Sequence, residues 1–234
     1  MSESIHNFLL LSSVWGTFLT ILTFAAGTWI SKKTKFAICN PLLLSSVFVI
    51  ILLQTFHIPY ADYKSGSGIV NFLLFPATVS LAIPLYEKWQ LLKDNLAAIL
   101  AGLTAGVLTS LFSIFVIAKL LRLQKEHYVT LLPKSVTTAI GMDVADVLGG
   151  SSVLAAAVIV LTGIAGNMMA QFVCQIFKIT NPIAKGIGIG SASHAIGTSK
   201  ALEMGEIEGA MSSLAIAVAG IFTAFLAPIF AGFM

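Results

Sequence analysis

"NLAAILAGLTAGVLTSLFSIFVIAKLL", residues 95–121, carries no ionisable side chain between Asn95 and Lys119. A helix needs about 20 apolar residues to cross the roughly 30 Å hydrocarbon core of a bilayer. This stretch is long enough and reads as a transmembrane helix. Its small residues Ala98, Gly102, Ala105, Gly106 and Thr109 would let a neighbouring helix approach closely, as packing in lipid favours; plain helix packing accounts for them. The rest of the chain has the same character. Of its 234 residues, 57% are hydrophobic and only 10% are charged, whereas a soluble domain carries about 25% charged residues. So few charges cannot cover a surface in water. The expected class is an integral membrane protein, multi-pass, in a cell membrane.

The net charge of +3, from 13 Lys+Arg against 10 Asp+Glu, mostly reflects basic loop residues of the kind that set orientation. No basic cluster with interleaved aromatics appears, so nucleic acid is not an expected partner. Cys39 and Cys174 are far apart, with neither CxxC nor metal-ligand spacing, and read as small apolar residues. The start of the chain lacks the basic region of a cleaved leader. It reads as a first membrane helix with its N-terminus outside and Lys32, Lys33 and Lys35 inside.

Eight segments are visible, at 8–30, 41–58, 66–86, 95–120, 128–148, 151–177, 181–200 and 207–232. The first, second, fourth, sixth and eighth read as plain membrane helices. The other three are interrupted. Pro76 and Pro84 bracket Thr78 and Ser80 in the third. The fifth holds Pro133, Lys134, hydroxyl side chains and a closing Gly149–Gly150. The seventh holds Pro182, a run of glycines and His194. Proline removes a backbone donor and glycine loosens the chain. Irregular backbone at membrane depth persists only where it is buried in protein or lines a watery cavity, so these three segments are expected to face inward.

"PATVSLAIP" (76–84) and "PKSVTTAIG" (133–141) share Pro, Val, Ala and Ile in register. A second register places segments 1–4 over segments 5–8. The expectation is an all-α polytopic bundle of about 7–8 membrane segments, with broken or re-entrant helices and an internal repeat. It forms one domain over 1–234, with repeat halves 1–120 and 121–234. If the basic loops after segments 1 and 4 share a side, an even number of crossings separates them. Segment 3 would then be re-entrant, segment 7 its counterpart, and the halves inverted.

Three clusters could carry chemistry. His194 lies with Ser191, Ser193 and Thr198 among glycines. An ionisable group within a membrane segment is a functional candidate by default, for solute binding or proton coupling; the plain alternative is a histidine bonded to a neighbouring helix. Lys134, with Ser135, Thr137 and Thr138, suits a carboxylate, because an ammonium, hydroxyls and a helix start combine there; the alternative is a lysine reaching to the interface. Asp143 reads either as a proton or cation site or as a solvated loop residue. Thr78, Ser80 and Tyr86 form the third cluster, and for its serine and threonine bonding to their own helix is the alternative. Lys185, Lys200, Glu203, Glu206 and Glu208 read as boundary residues. No GxSxG, HExxH or P-loop is present. The glycine run at 186–190 lacks the strand that a nucleotide loop needs. No enzyme activity, metal or cofactor is expected.

"LLPKSVTTAIGMDVADVLGG" (131–150), "NPIAKGIGIGSASHAIGTSKALEMGEIEGAMSSLA" (181–215) and "FPATVSLAIPLYEK" (75–88) resemble the signatures of the LrgB/CidB family of bacterial membrane proteins. The resemblance covers nearly the whole chain. It implies a place in the bacterial cell membrane and a small partner membrane protein of the LrgA/CidA type. It also implies one of two functions. One is an antiholin- or holin-like modulator of murein hydrolase activity and autolysis; the other is a carrier of small carboxylates of the pyruvate or glycolate class, as a plastid glycolate/glycerate transporter is related. The interrupted segments, Lys134 and His194 favour the carrier, working as a homo-oligomer in the bilayer.

Overall fold

A computed structural model describes residues 14–34 and 39–234, apart from the side chains of Leu74, Phe75, Thr78 and Leu85. The described residues are mostly helical and contain no strand. They form two compact units, 1–80 and 81–234.

The first unit contains α1 (Trp15–Thr34), α2 (Pro41–Thr55), α3 (Tyr60–Gly66) and α4 (Gly68–Ser80). The Asn40 side chain starts α2 by accepting the Leu42 amide at 2.9 Å, which satisfies a donor that a helix start leaves open. Small side chains let α1 pack. A Cβ on Gly27 would sit 2.9 Å from the Pro41 carbonyl oxygen. Thr23 and Ser45 share a hydrogen bond at 3.0 Å, and Thr20 and Tyr63 one at 2.7 Å. Pro76 lies inside α4. The third expected segment therefore ends one helix at Ser80 and resumes after Leu81.

The second unit holds α5 (Ala82–Glu87), α6 (Trp89–Asp94), α7 (Leu96–Leu120), α8 (Lys125–Leu131), α9 (Thr138–Val147), α10 (Ser152–Ile176), α11 (Pro182–Met204) and α12 (Glu206–Ala231). Among the described residues, α7, α10 and α12 are the helices long and apolar enough to cross a membrane; α2 is apolar but has 15 residues. Between these three spans the chain twice turns back on itself.

The first return is α8–α9. The return is closed between the last turn of α8 and the residues after α9: Thr130 Oγ1 accepts the Ser151 amide at 2.9 Å, and a Cβ on Gly150 would lie 2.9 Å from the Thr130 nitrogen. Its tip is the irregular run 132–137, where a Cβ on Gly141 would sit 3.2 Å from the Pro133 carbonyl oxygen. The second return is α11. Asn181 caps its start, accepting the Ile183 amide at 2.9 Å. At His194 the backbone leaves helical geometry, with φ 44° and ψ −142°, and the chain reverses. A Cβ on Gly197 would lie 3.1 Å from Ile189 Cγ2, although eight residues of continuous helix would separate the two by about 12 Å. Ile189 and Ala201 belong to one buried cluster with Ala170. Thus α11 is a hairpin of two helical arms, 182–193 and 195–204, with His194 at its tip.

The two hairpins approach from opposite ends of α10. The first sits beside Gly150 and Ser151, where α10 begins. The base of the second, Lys185 and Lys200, shares a cavity with Cys174 and Lys178 at the other end. Segment 5 was expected to be interrupted, and re-entry was expected of segments 3 and 7. Among the described residues the back-folded pair is segments 5 and 7.

A candidate anion site where two hairpin tips meet

Glycines on α10 admit the second tip. A Cβ on Gly163 would come within 2.7 Å of His194 Cε1, and one on Gly166 would collide with Ser193 Oγ. Gly163 lies close to the midpoint of the 25-residue α10. One turn earlier, the Ile159 carbonyl accepts His194 Nε2–H at 3.0 Å. A carbonyl only accepts, so Nε2 carries the proton and the neutral ring leaves Nδ1 as an acceptor. The Ile159 side chain faces the first hairpin, where its Cδ1 fills the space beside Gly141. One residue of α10 therefore touches both hairpins.

The span α7 does the same. A Cβ on Gly106 would lie 3.2 Å from Ser191 Oγ of the second tip. One turn on, Ser110 Oγ meets Ser135 Oγ of the first tip at 3.1 Å. On α12, Ser212 donates to Thr198 Oγ1 at 2.7 Å, while Thr198 donates to the His194 carbonyl at 3.0 Å. Asn167 on α10 anchors the second arm, its Nδ2 donating to the Ile196 carbonyl at 2.8 Å and to Ser199 Oγ at 3.0 Å.

The expected site residues fall into three groups. Lys134, Ser135, Thr137 and Thr138 form the first tip. Lys134 is half-buried, donates to Ser135 Oγ at 2.9 Å, and makes no ion pair among the described residues. The Thr137 side chain does not cap α9, so the amides that open α9 beside Lys134 receive nothing from it. Ser191, Ser193, His194 and Thr198 form the second tip, all buried. Asp143 and Ser80 belong to neither tip. Asp143 is exposed on α9. Ser80 is exposed in the other unit and donates to the Ala77 carbonyl of its own helix at 2.7 Å. The Thr78 side chain lies outside the described residues.

Gly163, Gly166 and Asn167 are additions that the sequence reading passed over. Their signal was an amide and two glycines inside a span otherwise read as plain. The boundary residues also acquire partners: Lys88–Glu206 and Lys200–Glu203, each at 2.9 Å, and Lys185–Glu208 at 3.7 Å.

Two helix starts, at Thr138 and Ala195, thus open at the two tips, and Lys134 adds a full positive charge to the first. A helix N-terminus presents unsatisfied amides and a partial positive charge, so the arrangement suits a small anion.

A family model described as the LrgB-like family matches residues 20–233, a range containing both hairpins. The chain belongs to the LrgB-like family. A relative in *Bacillus subtilis* (strain 168), named "Antiholin-like protein LrgB", is 34% identical over 221 residues. That alignment takes in 94% of this chain and 96% of the relative, so the LrgB-like likeness is one of whole chains. No solved structure matches.

Proposed function

We propose that the chain is a membrane carrier of small monocarboxylates, of the pyruvate or glycolate class, and not an enzyme. The observation that carries this reading is that two hairpin tips lie against neighbouring turns of the same span, Ser191 beside Gly106 and Ser135 beside Ser110 of α7, each opening a helix start, with Lys134 unpaired by any described carboxylate. Carriers bind solute near the bilayer midplane at interrupted helices, and amide-bearing helix starts face the anionic group. Lys134 supplies charge to the carboxylate. The hydroxyls of Ser135, Thr137, Thr138, Ser191 and Ser193 read the 2-oxo or 2-hydroxy group. His194 Nδ1 takes a coupling proton. The first unit supplies further membrane segments, for the expected total of seven or eight, in the bacterial cell membrane. The carrier works with a small LrgA/CidA-type membrane protein and as a homo-oligomer.

Purified protein in liposomes tests this. Saturable uptake of labelled pyruvate is expected, and it is lost in Lys134→Ala and in His194→Ala while membrane insertion stays normal. Undiminished uptake in both variants removes the assignment.

One observation favours a second reading. The *B. subtilis* relative is named antiholin-like, which fits a modulator of murein hydrolase activity and autolysis. That reading predicts leakage of neutral dye up to a size limit, or no flux at all, in place of saturable uptake.

A further inference from the structure

Three cavities surround the second hairpin. A vestibule of about 770 Å³ lies at its base, where Lys178 after α10, Lys185 on the first arm and Lys200 on the second arm converge with a single carboxylate, Glu203. A narrower cavity of about 310 Å³ shares Cys174, Ile179 and Lys185 with it and runs on past Ala170, Gly188 and Ile189 to Ser193 at the tip. On the opposite face of the same arm, a cavity of about 400 Å³ between α7 and α11 ends at Ser191 and has no lysine in its lining. Gly188 lines both inner cavities, and a Cβ there would meet nothing within 4 Å.

We propose that the lysine-ringed vestibule and the cavity behind it form the approach by which the solute anion reaches the second tip, with Cys174 at the junction. The vestibule gathers three cations from three chain segments, with Glu203 in its lining and Glu208 beside Lys185 as the neighbouring carboxylates. Clefts lined by one sign of charge raise the local concentration of oppositely charged solutes. Lys200 is held by Glu203 and Lys185 stands near Glu208; Lys178 is exposed and makes no ion pair among the described residues. Beyond Lys185 the lining becomes apolar apart from Ser193, so an anion is drawn to the mouth and released from it toward the tip without a second trap on the way.

This proposal rests on the carrier reading, and the test separates the two. A Cys39→Ser variant keeps Cys174 as its one thiol. It is treated in detergent with an anionic methanethiosulfonate (the ethylsulfonate) and a cationic one (the ethyltrimethylammonium), with each rate normalised to free cysteine. Pyruvate uptake is measured in liposomes of the same protein. Cys174 is expected to react roughly tenfold faster with the anion. The ratio should fall toward one in Lys178→Gln/Lys200→Gln and in high salt. Pyruvate should slow the reaction, and modified protein should not transport. Equal rates, a ratio unmoved in the double variant, or a thiol that reacts only after unfolding overturns the path, even where uptake is intact. A charge-selective reaction slowed by pyruvate, in protein whose liposomes take up nothing, upholds the anion-attracting path and overturns the carrier reading.

Discussion

His194 donates its Nε2 proton to the carbonyl oxygen of Ile159 at 3.0 Å, and that bond joins the tip of one hairpin to the residue that packs against the other. Gly106 and Ser110 of α7 relate the two breaks in a second way, one against Ser191 and the other bonded to Ser135. Gly163 lies one turn further along α10, and its missing side chain lets the imidazole come close enough to bond.

Gly163 and Gly166 of α10 should therefore respond in the opposite way to Gly188 of α11. Gly163→Ala and Gly166→Ala each push a methyl into His194 or Ser193, and overpacking of this kind costs about 1–3 kcal/mol. Gly188→Ala meets open space and, within a helical arm, should be neutral or stabilising by about 0.5–1 kcal/mol. Thermal unfolding of the three variants in one detergent checks this. Equal effects at all three positions would contradict the packing of the tip.

Asn167 should matter for the second arm more than for membrane insertion. Asn167→Leu removes the donor to Ile196 and Ser199, while the Ile196 carbonyl keeps the Ser199 hydroxyl at 2.7 Å, so the loss is about 0.5–1.5 kcal/mol. Amide exchange over 195–204 should rise while α7 stays protected.

The reversal at His194 has a direct chemical signature. In a variant lacking the native thiols, cysteines placed at Ile189 and Ala201, which share one buried cluster, should be joined within a single chain by a short bifunctional reagent. Continuous helix would hold those positions about 18 Å apart, beyond its reach. A cysteine pair at Ile189 and Val153 should serve as the unlinked control, because Ala170, which packs in the cluster of Ile189, lies about 25 Å along α10 from Val153.

The Lys88–Glu206 ion pair should be nearly silent. Its partners' side chains are 28% and 83% exposed, and solvent screens such pairs. The hydrogen bond from Lys88 to Glu206, and then the charge of that carboxylate, hold the Lys88 ammonium above the ordinary lysine value of 10.5. A raised lysine contributes its stability below its unfolded value and loses it as pH climbs through the folded one. Lys88→Gln should thus have the same small effect on unfolding at about pH 6 and about pH 9, and that effect should shrink in high salt. A large effect growing between those pH values would contradict it.

The breaks were legible in the sequence and the back-folding only in part: re-entry was expected of segment 7, but it was also expected of segment 3 and not of segment 5. Pro133 and the glycine-rich surroundings of His194 marked two interrupted segments, and the absence of charge over 96–118 marked a membrane span. Nothing in local spacing says that a chain reverses, because both arms of α11 keep helical periodicity and the turn is held by α10 and α12. The position of the break also escaped: five glycines in 186–205 are better suited to a positive φ, yet the residue at φ 44° is His194. The tertiary bond to Ile159 and the local one from Thr198 hold it there. Lys134 and His194 could be named as candidates from their chemistry. That α7 and α10 bring their two tips together depends on Gly106, Ser110 and Gly163, residues whose role appears only once the helices are packed.

The second hairpin also has a consequence for how the chain is made. Its arms are too polar and too short to rest singly in oil, and the helix ends at His194 find their partners on α10 and on Ser212 of α12. The nascent chain completes α10 first, then emits 182–204, and only afterwards α12. Until that last span leaves the ribosome and enters the bilayer, the hairpin has no lodging at depth and must wait at the membrane surface.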